Sequence, residues 1–332
     1  MRLGCFEKDR WIMKLDFIDA AAIHNLLDWP YLIDSMRQAH REVVPMIGRL
    51  ALESPHPDRQ SDVLIAAPAW IPGQDLGCKL ITSFPDNVAR HGVPTVNSIY
   101  AVFDPQTGQP RAILDGEAMI FRKTAATSAL GAGYLAAPAA KFMLMVGAGA
   151  LAPYVIQAMR AVRPGLEEVR IWNRTPEKAQ HLAQRMDSPQ CKVVAVQNRD
   201  SSLEWADIVV AATMSDTPII AGSALRDSAH VNLIGSFTAA MREGDDALLT
   251  RSDLYIDHRA RAAGNGEFKA ALESGLISQD DLLGDLFDIV KLTPSSAEPG
   301  CLANPGGVTL FKNAGASHLD LFTARALMAR YV

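Results

Sequence analysis

The spacing of the hydrophobic positions changes along the chain and divides it. Between residues 16 and 45 the apolar positions recur at helical intervals. Asp16-Phe-Ile-Asp-Ala begins one short helix, and Trp29-Pro30 opens a second that runs to about Val44. From there to residue 115 the pattern is that of strands, over 47–52, 62–69, 77–84, 95–103 and 111–115. Asp104-Pro-Gln-Thr-Gly108 supplies a turn that makes the last two a hairpin. An alanine-rich helix from Glu117 to Ala137 follows. Beyond it, helical patterns over about 153–162 and 176–187 alternate with strand patterns over 142–146, 168–173, 192–196, 206–213, 230–235 and 252–257. Residues 291–308, broken by prolines and the pair Gly306-Gly307, read as loop; Val308–Phe311 is a last short strand and His318–Tyr331 a closing helix. A β-rich first part precedes a region of alternating strand and helix, which implies an α/β fold with a doubly wound parallel sheet.

The most informative stretch lies where that alternation begins. Residues 142–146 are apolar throughout, as a strand buried on both faces requires. Gly147-Ala148-Gly149-Ala150-Leu151-Ala152 follows at once and gives G-x-G-x-x-A between a strand and a helix, the context of a dinucleotide fingerprint. Gly147 permits the tight turn, Gly149 lets backbone approach a pyrophosphate, and Ala152 lets helix and strand pack closely. The helix N-terminus offers free N–H groups to phosphate. The next strand ends in Asn173-Arg174-Thr175. An NAD-type site carries a carboxylate there for the ribose 2′-hydroxyl, whereas arginine with Asn and Thr suits a 2′-phosphate. The stretch therefore favours NADP(H), with NAD(H) as the alternative. The carboxyl ends of the later strands, Ala212-Thr213 and Gly235, line the edge where ligands of such sheets bind.

Composition narrows the class. The chain has 332 residues, long enough for two domains, with 48% hydrophobic and 21% charged residues, as in a soluble globular protein. A net charge of −5 and the lack of any Lys/Arg run speak against nucleic acid, and no apolar run reaches the length of a membrane span. The first ten residues lack the apolar core of a signal peptide. Cys5, Cys78, Cys191 and Cys301 are scattered, which suggests reduced thiols, a cytoplasmic location and no metal site.

Two cations interrupt strands. Lys79 lies between Cys78 and Leu80, so its side chain points to one face and must snorkel, pair or face a cavity. Arg49 has the same ambiguity. Arg122 and Lys123 sit within the long helix just before Thr124-Ala-Ala-Thr, a pattern that suits an anion site at a domain junction or a solvated helix face.

The chain resembles the ornithine cyclodeaminase/mu-crystallin family over nearly its whole length. The matching stretches are Gly77-Cys-Lys79 with Phe84-Pro-Asp-Asn87, Phe103-Asp-Pro-Gln-Thr-Gly108, Thr124-Ala-Ala-Thr-Ser-Ala129, Val146-Gly-Ala-Gly149, Asn173-Arg-Thr175 and Val308-Thr-Leu-Phe-Lys-Asn-Ala-Gly315. The resemblance implies a Rossmann-type nucleotide domain, residues 121–314, and a discontinuous α+β substrate and dimerisation domain, residues 1–120 and 315–332. It implies a homodimer with its active site between the domains. By position, Arg49 is similar to the family's substrate-carboxylate arginine, Lys79 to its active-site lysine, and Thr95 to the residue touching the nicotinamide amide. The family commonly reads Arg-Thr-Ala-Ala where this chain has Lys123-Thr-Ala-Ala, so the second carboxylate cation is Lys123 or Arg122. Cyclodeaminases carry Gly-Gly-Asp where this chain has Gly235-Ser236-Phe237, while Met241-Arg242-Glu243 resembles the ketimine-reductase branch. The resemblance thus implies an NADPH-dependent reductase of small cyclic imino acids, giving proline or pipecolate. A cyclodeaminase using NAD, an alanine-dehydrogenase-like enzyme and a non-enzymatic small-ligand binder are the alternatives.

Overall fold

The computed structural model describes residues 15–294 and 299–331, apart from 237 and 239. The first ten residues and Phe237, on which two sequence readings rest, lie outside the described residues. In chain order the first part contains β1 (Asp16–Ile18), α1 (Ala20–Leu26), α2 (Trp29–Glu42), β2 (Met46–Ile47), β3 (Leu50–Ser54), β4 (Asp62–Ile71), β5 (Asp75–Ser83), α3 (Asn87–His91), β6 (Val96–Phe103) and β7 (Pro110–Asp115). These strands form one sheet in the order β1-β7-β6-β5-β4-β2, with β3 also on β4. It is antiparallel except where β1 joins β7. The chain around Asp16 is therefore strand, not helix. Asp19 caps the helix instead, its carboxylate accepting the Ala22 N–H at 2.8 Å.

Helix α4 (Gly116–Leu135) leads into the second part: β8 (Phe142–Val146), α5 (Ala152–Val162), β9 (Glu168–Trp172), α6 (Pro176–Met186), β10 (Lys192–Ala195), α7 (Asp200–Trp205), β11 (Ile208–Ala211), β12 (His230–Leu233), α8 (Asp246–Arg251), β13 (Ser252–Ile256), α9 (Gly266–Glu273), β14 (Leu282–Asp285), α10 (Leu286–Leu292), β15 (Val308–Lys312) and α11 (Ser317–Arg330). The second sheet is parallel throughout, in the order β10-β9-β8-β11-β12-β15-β13-β14. The order reverses between β8 and β11, and ligands of such sheets bind at that crevice.

Helix α4 is buried along nearly its whole length and packs on β6 of the first sheet and on β12 and β15 of the second. Its small residues permit this. A Cβ on Gly131 would stand 2.8 Å from the Phe311 ring of β15, so only glycine lets the helix lie so close. The final helix α11 returns to the first sheet and packs on β4, β5, α2 and α4.

Where α2, α10 and α11 meet, burial traps histidines. His40 Nδ1 donates to Met36 O (2.7 Å), its Nε2 meets His318 Nε2 at 3.2 Å, and both rings pack on Phe287 and Phe322. His230, inside the parallel sheet, meets Thr309 Oγ1 at 2.9 Å. Burial lowers the pKa of His40 to about 4 and of His230 to about 3, and holds His318 well below the usual value. An unfolded histidine protonates near pH 6.5, so below that pH the unfolded chain binds protons that the native one refuses. Stability is fully present above about pH 6.5 and falls as the pH drops toward about 4. Each histidine adds a slope of up to about 1.4 kcal/mol per pH unit. Urea midpoints measured from pH 7 to 4.5 should fall accordingly; a flat profile would refute the neutral-histidine account.

Candidate active site

The cofactor end of the cleft is built by local geometry. Gly147 has φ of 110°, and a Cβ there would lie 2.6 Å from Ala212 O, so the turn admits only glycine. Gly149 has no atom of a neighbouring residue within 4 Å of the same position, which leaves its backbone approachable. Asn173 braces the turn: Oδ1 accepts the Ala148 N–H at 3.1 Å and Nδ2 donates to Thr175 O at 2.8 Å. Gly147 through Leu151, Trp172 through Thr175, Lys178, Ala212 and Thr213 line one cavity of about 440 Å³. Arg174 is exposed at its rim. The residues fit a dinucleotide: the turn's N–H groups would take its phosphates, and Arg174 and Thr175 would take its ribose.

Behind this cavity, three strand ends are tied together. Glu243 Oε1 accepts both the N–H (2.7 Å) and the hydroxyl (2.8 Å) of Thr213. Lys312, at the end of β15, donates its ammonium to Gly235 O. A side chain at Gly235 would collide with Thr213 O and Glu243 Oε1. Glu267 accepts the Ser236 hydroxyl (2.7 Å) and the N–H groups of Glu243 (3.0 Å) and Gly244 (2.8 Å). Burial raises the Glu243 pKa and lowers that of Lys312, while the two opposite charges counteract both shifts. The sequence singled out Thr213 and Gly235; it gave no hint that Glu243 would hold the first and Lys312 the second.

A second group of buried charges lies near the carboxyl ends of β13 and β15. Strand β5 turns Lys79 inward, opposite Ala67 and Tyr100, and α11 covers that face. Lys79 is 6% exposed, and its Nζ meets Asp320 Oδ2 at 2.8 Å. It is neither a surface lysine nor a snorkelling one. Asp320 is fully buried on α11, and its Oδ1 has no partner among the described residues. The buried Tyr100 hydroxyl is also unpartnered, and burial followed by the Asp320 charge pushes its pKa well up.

Adjacent cations on α4 diverge. Lys123 is buried, with Nζ 3.5 Å from where a Cβ on Gly315 would stand. Desolvation lowers its pKa, while Asp320 and Asp257 pull it back up. Arg122 goes elsewhere: Nε donates to His24 Nδ1 (3.0 Å), another nitrogen donates to His24 O (2.9 Å), and the guanidinium stacks on Trp29 at 4.3 Å. Of the two carboxylate candidates, the structure brings Lys123 to Lys79 and Asp320, and commits Arg122 to the α1–α2 side. Asp257 accepts the N–H groups of Gly315 (2.6 Å) and Ala316 (3.1 Å), fixing the link from β15 to α11. Asn313 donates to Thr124 O (3.0 Å) and Ser128 Oγ (2.9 Å), tying β15 to α4. Arg49, between β2 and β3, is exposed. Thr95, just before β6, is half-exposed and uses its carbonyl to accept the Phe84 N–H at 2.8 Å. Asp320 was missed in the sequence; its one signal is a carboxylate inside an otherwise apolar helix, His318-Leu-Asp-Leu-Phe322. Among the described residues no group of His, Cys, Asp and Glu is placed to hold a metal ion.

Residues 20–332 match the model of the ornithine cyclodeaminase/mu-crystallin family. A Delta(1)-pyrroline-2-carboxylate reductase of Paracoccus denitrificans is 38% identical over 301 residues, covering 90% of this chain and 91% of that one. Among solved structures, the Thermococcus litoralis Delta(1)-pyrroline-2-carboxylate reductase in complex with NADH and L-proline aligns with a TM-score of 0.85 at 23% identity, over 95% of this chain and 97% of that one. An archaeal alanine dehydrogenase dimer with bound NAD aligns with a TM-score of 0.84 at 20% identity, over 96% of each chain. These matches run through both sheets and both ends of the cleft, and the chain belongs to the ornithine cyclodeaminase/mu-crystallin family.

Proposed function

We propose that this chain is a nicotinamide-dependent reductase of cyclic imino acids, taking 1-pyrroline-2-carboxylate or 1-piperideine-2-carboxylate to proline or pipecolate. One observation carries the reading: the glycine turn follows β8, and the buried Lys79–Asp320 pair lies with Lys123 near Gly315 after β15, so both groups stand at the carboxyl ends of the parallel strands. The 38% identity with the Paracoccus reductase supports it. When bound, the nicotinamide supplies the hydride. The chain's own residues hold and protonate the imine. Arg49 and Lys123 orient the ring carboxylate. Lys79 faces the ring nitrogen and gives it a hydrogen bond or the proton it gains as the C=N bond is reduced. Asp320 aims that ammonium and compensates its charge. In this reading residues 1–120 and 315–332 form the substrate domain and 121–314 the nucleotide domain; the packing of α11 on β4 and β5 supports the split.

The purified protein should therefore oxidise NADPH in the presence of either ring size. Ornithine-dependent ammonia release at a matching rate, or no turnover with either ketimine, would overturn the reading. Lys79→Ala should keep the fold and cofactor affinity but lower kcat by about 10²–10⁴-fold, the usual worth of general acid assistance. Near-normal kcat in a folded Lys79→Ala protein would remove Lys79 from the chemistry.

NADP(H) is the preferred cofactor in this reading, because Arg174 and Lys178 border the cavity and Asn173 offers no carboxylate to repel a 2′-phosphate. Arg174→Ala should weaken NADPH binding by about 1–2 kcal/mol, discounted for its exposure, and leave NADH nearly unaffected. Comparable losses for both cofactors in a binding titration would argue against it.

The protein acts as a homodimer in this reading. The outward face of the first sheet exposes Leu50, Leu52, Leu64, Trp70, Leu80 and Ile99, a contiguous apolar surface of the kind that marks an interface. No helix among the described residues is long and apolar enough to cross a membrane, and the unpaired Cys78, Cys191 and Cys301 suit a cytoplasmic place. Sedimentation should give the mass of two chains, and Leu64→Glu with Leu80→Glu should return the mass of one; a monomeric unaltered protein would refute the dimer.

A further inference from the structure

Two guanidinium groups share the substrate end of the cleft, and only one of them has a role so far. Arg261 closes the 3-10 turn Arg259–Arg261 that follows β13, its backbone N–H donating to His258 O at 2.9 Å. The start of that turn is pinned by Asp257, which binds the N–H groups of Gly315 and Ala316 at the point where Lys123 arrives from α4. Arg261 is half-buried, and its Nε is shut from solvent with no hydrogen-bond partner among the described residues. Arg49 lies exposed in the link between β2 and β3. The two guanidiniums lie close enough that, after burial, their repulsion is what most lowers the Arg261 pKa. Arg261 also opposes the charge of Lys123. Asp257 is the nearby counter-charge: its Oδ2 takes two backbone N–H groups, and neither its buried Oδ1 nor Arg261 Nε has a hydrogen-bond partner among the described residues, so the two are not bonded to each other.

Like charges held together in a partly desolvated corner cost free energy unless an anion joins them. The required anion is planar and must take N–H donors from two sides, as a carboxylate does. Lys123 alone cannot provide that grip, because an ammonium is a point charge without a fork. We infer that Arg261 is a substrate-binding residue, which together with Arg49 clamps the carboxylate of the imino acid. The inference rests on the reductase reading. It divides the labour in the cleft: the two arginines grip the carboxylate, Lys123 adds charge beneath it, and Lys79 with Asp320 is left to face the ring nitrogen.

The test begins with the unaltered protein. Its turnover of 1-pyrroline-2-carboxylate with NADPH establishes the reductase reading before any variant is made, so a later failure bears on Arg261 alone. Arg261→Ala should raise KM for 1-pyrroline-2-carboxylate by about 10- to 100-fold, the worth of a charge-assisted contact, with kcat changed by no more than about threefold. Proline affinity by calorimetry should weaken in the same proportion, while NADPH affinity and melting temperature stay put. Arg261→Lys should recover little of the loss. Efficiency with 1-pyrroline, the same ring without the carboxylate, should not change. Unchanged KM and proline affinity in Arg261→Ala would overturn the inference, as would an equal loss with 1-pyrroline. A loss confined to an open-chain imino dicarboxylate would also overturn it, by assigning Arg261 to a second acid group instead.

Discussion

Burial of α4 on every side is the constraint on which the rest depends. A helix wedged between two sheets can carry almost no side-chain volume, and from Ala125 to Ala132 it carries alanine, glycine, serine, threonine and one leucine. A charged group there must find a partner or a cavity. The helix places its two charges side by side, and the 100° between neighbouring positions sends them to different sides of it. Arg122 is consumed in holding His24 and Trp29, which seats the first two helices on the spine. Lys123 emerges where β13, β15 and α11 converge, with Asp257 and Asp320 for counter-charges. The same helix therefore joins the sheets and carries both cations.

The parts of the site that were legible in the sequence are those in which neighbours in sequence are neighbours in space. The glycine turn is one: strand, turn and helix occupy a single short stretch, and the steric need for Gly147 is created by the strand next to it. The inward aim of Lys79 was half legible. Its alternation with Cys78 and Leu80 fixed a face, but nothing local decided whether that face met water or protein. Its partner, Asp320, stands 241 residues away, and a carboxylate on a helix says nothing about which strand the helix will cover. Arg122 and Lys123 could not be separated because a helix apolar all round has no polar face from which to read orientation. The strand at Asp16 was missed because three residues that pair only with β7 carry no periodicity of their own. β14 and the short helices α7 to α10 were missed for the same reason: each is stabilised by what it packs on rather than by its own pattern.

The two ends of the cleft are held by different means. At the cofactor end, backbone and buried carboxylates do the holding, and Glu243, Glu267 and Lys312 are bound into one network behind the strand ends. Removing one partner there would leave an uncompensated charge in the interior. At the substrate end the charges reach inward from four separate elements, β5, α4, α11 and the turn after β13, and Lys79–Asp320 is the one direct ion pair among them. An anion bound in such a corner would supply the missing partners, and order in this part of the fold would then be coupled to occupancy.

The brace formed by Asn173 restricts how a lineage carrying this fold can exchange one dinucleotide for another. The familiar route places an acid at the end of the second strand, yet here that amide both accepts the Ala148 N–H and donates a hydrogen bond to the Thr175 carbonyl. An aspartate could keep the first bond but would set an oxygen against an oxygen at the second, loosening the turn that the phosphates rest on. Drift in cofactor choice is thereby channelled to the neighbouring exposed positions, 174 and 178, where side chains can change without disturbing the backbone beneath them. Position 173 is a keystone of the scaffold that happens to sit where other dehydrogenases keep their selector.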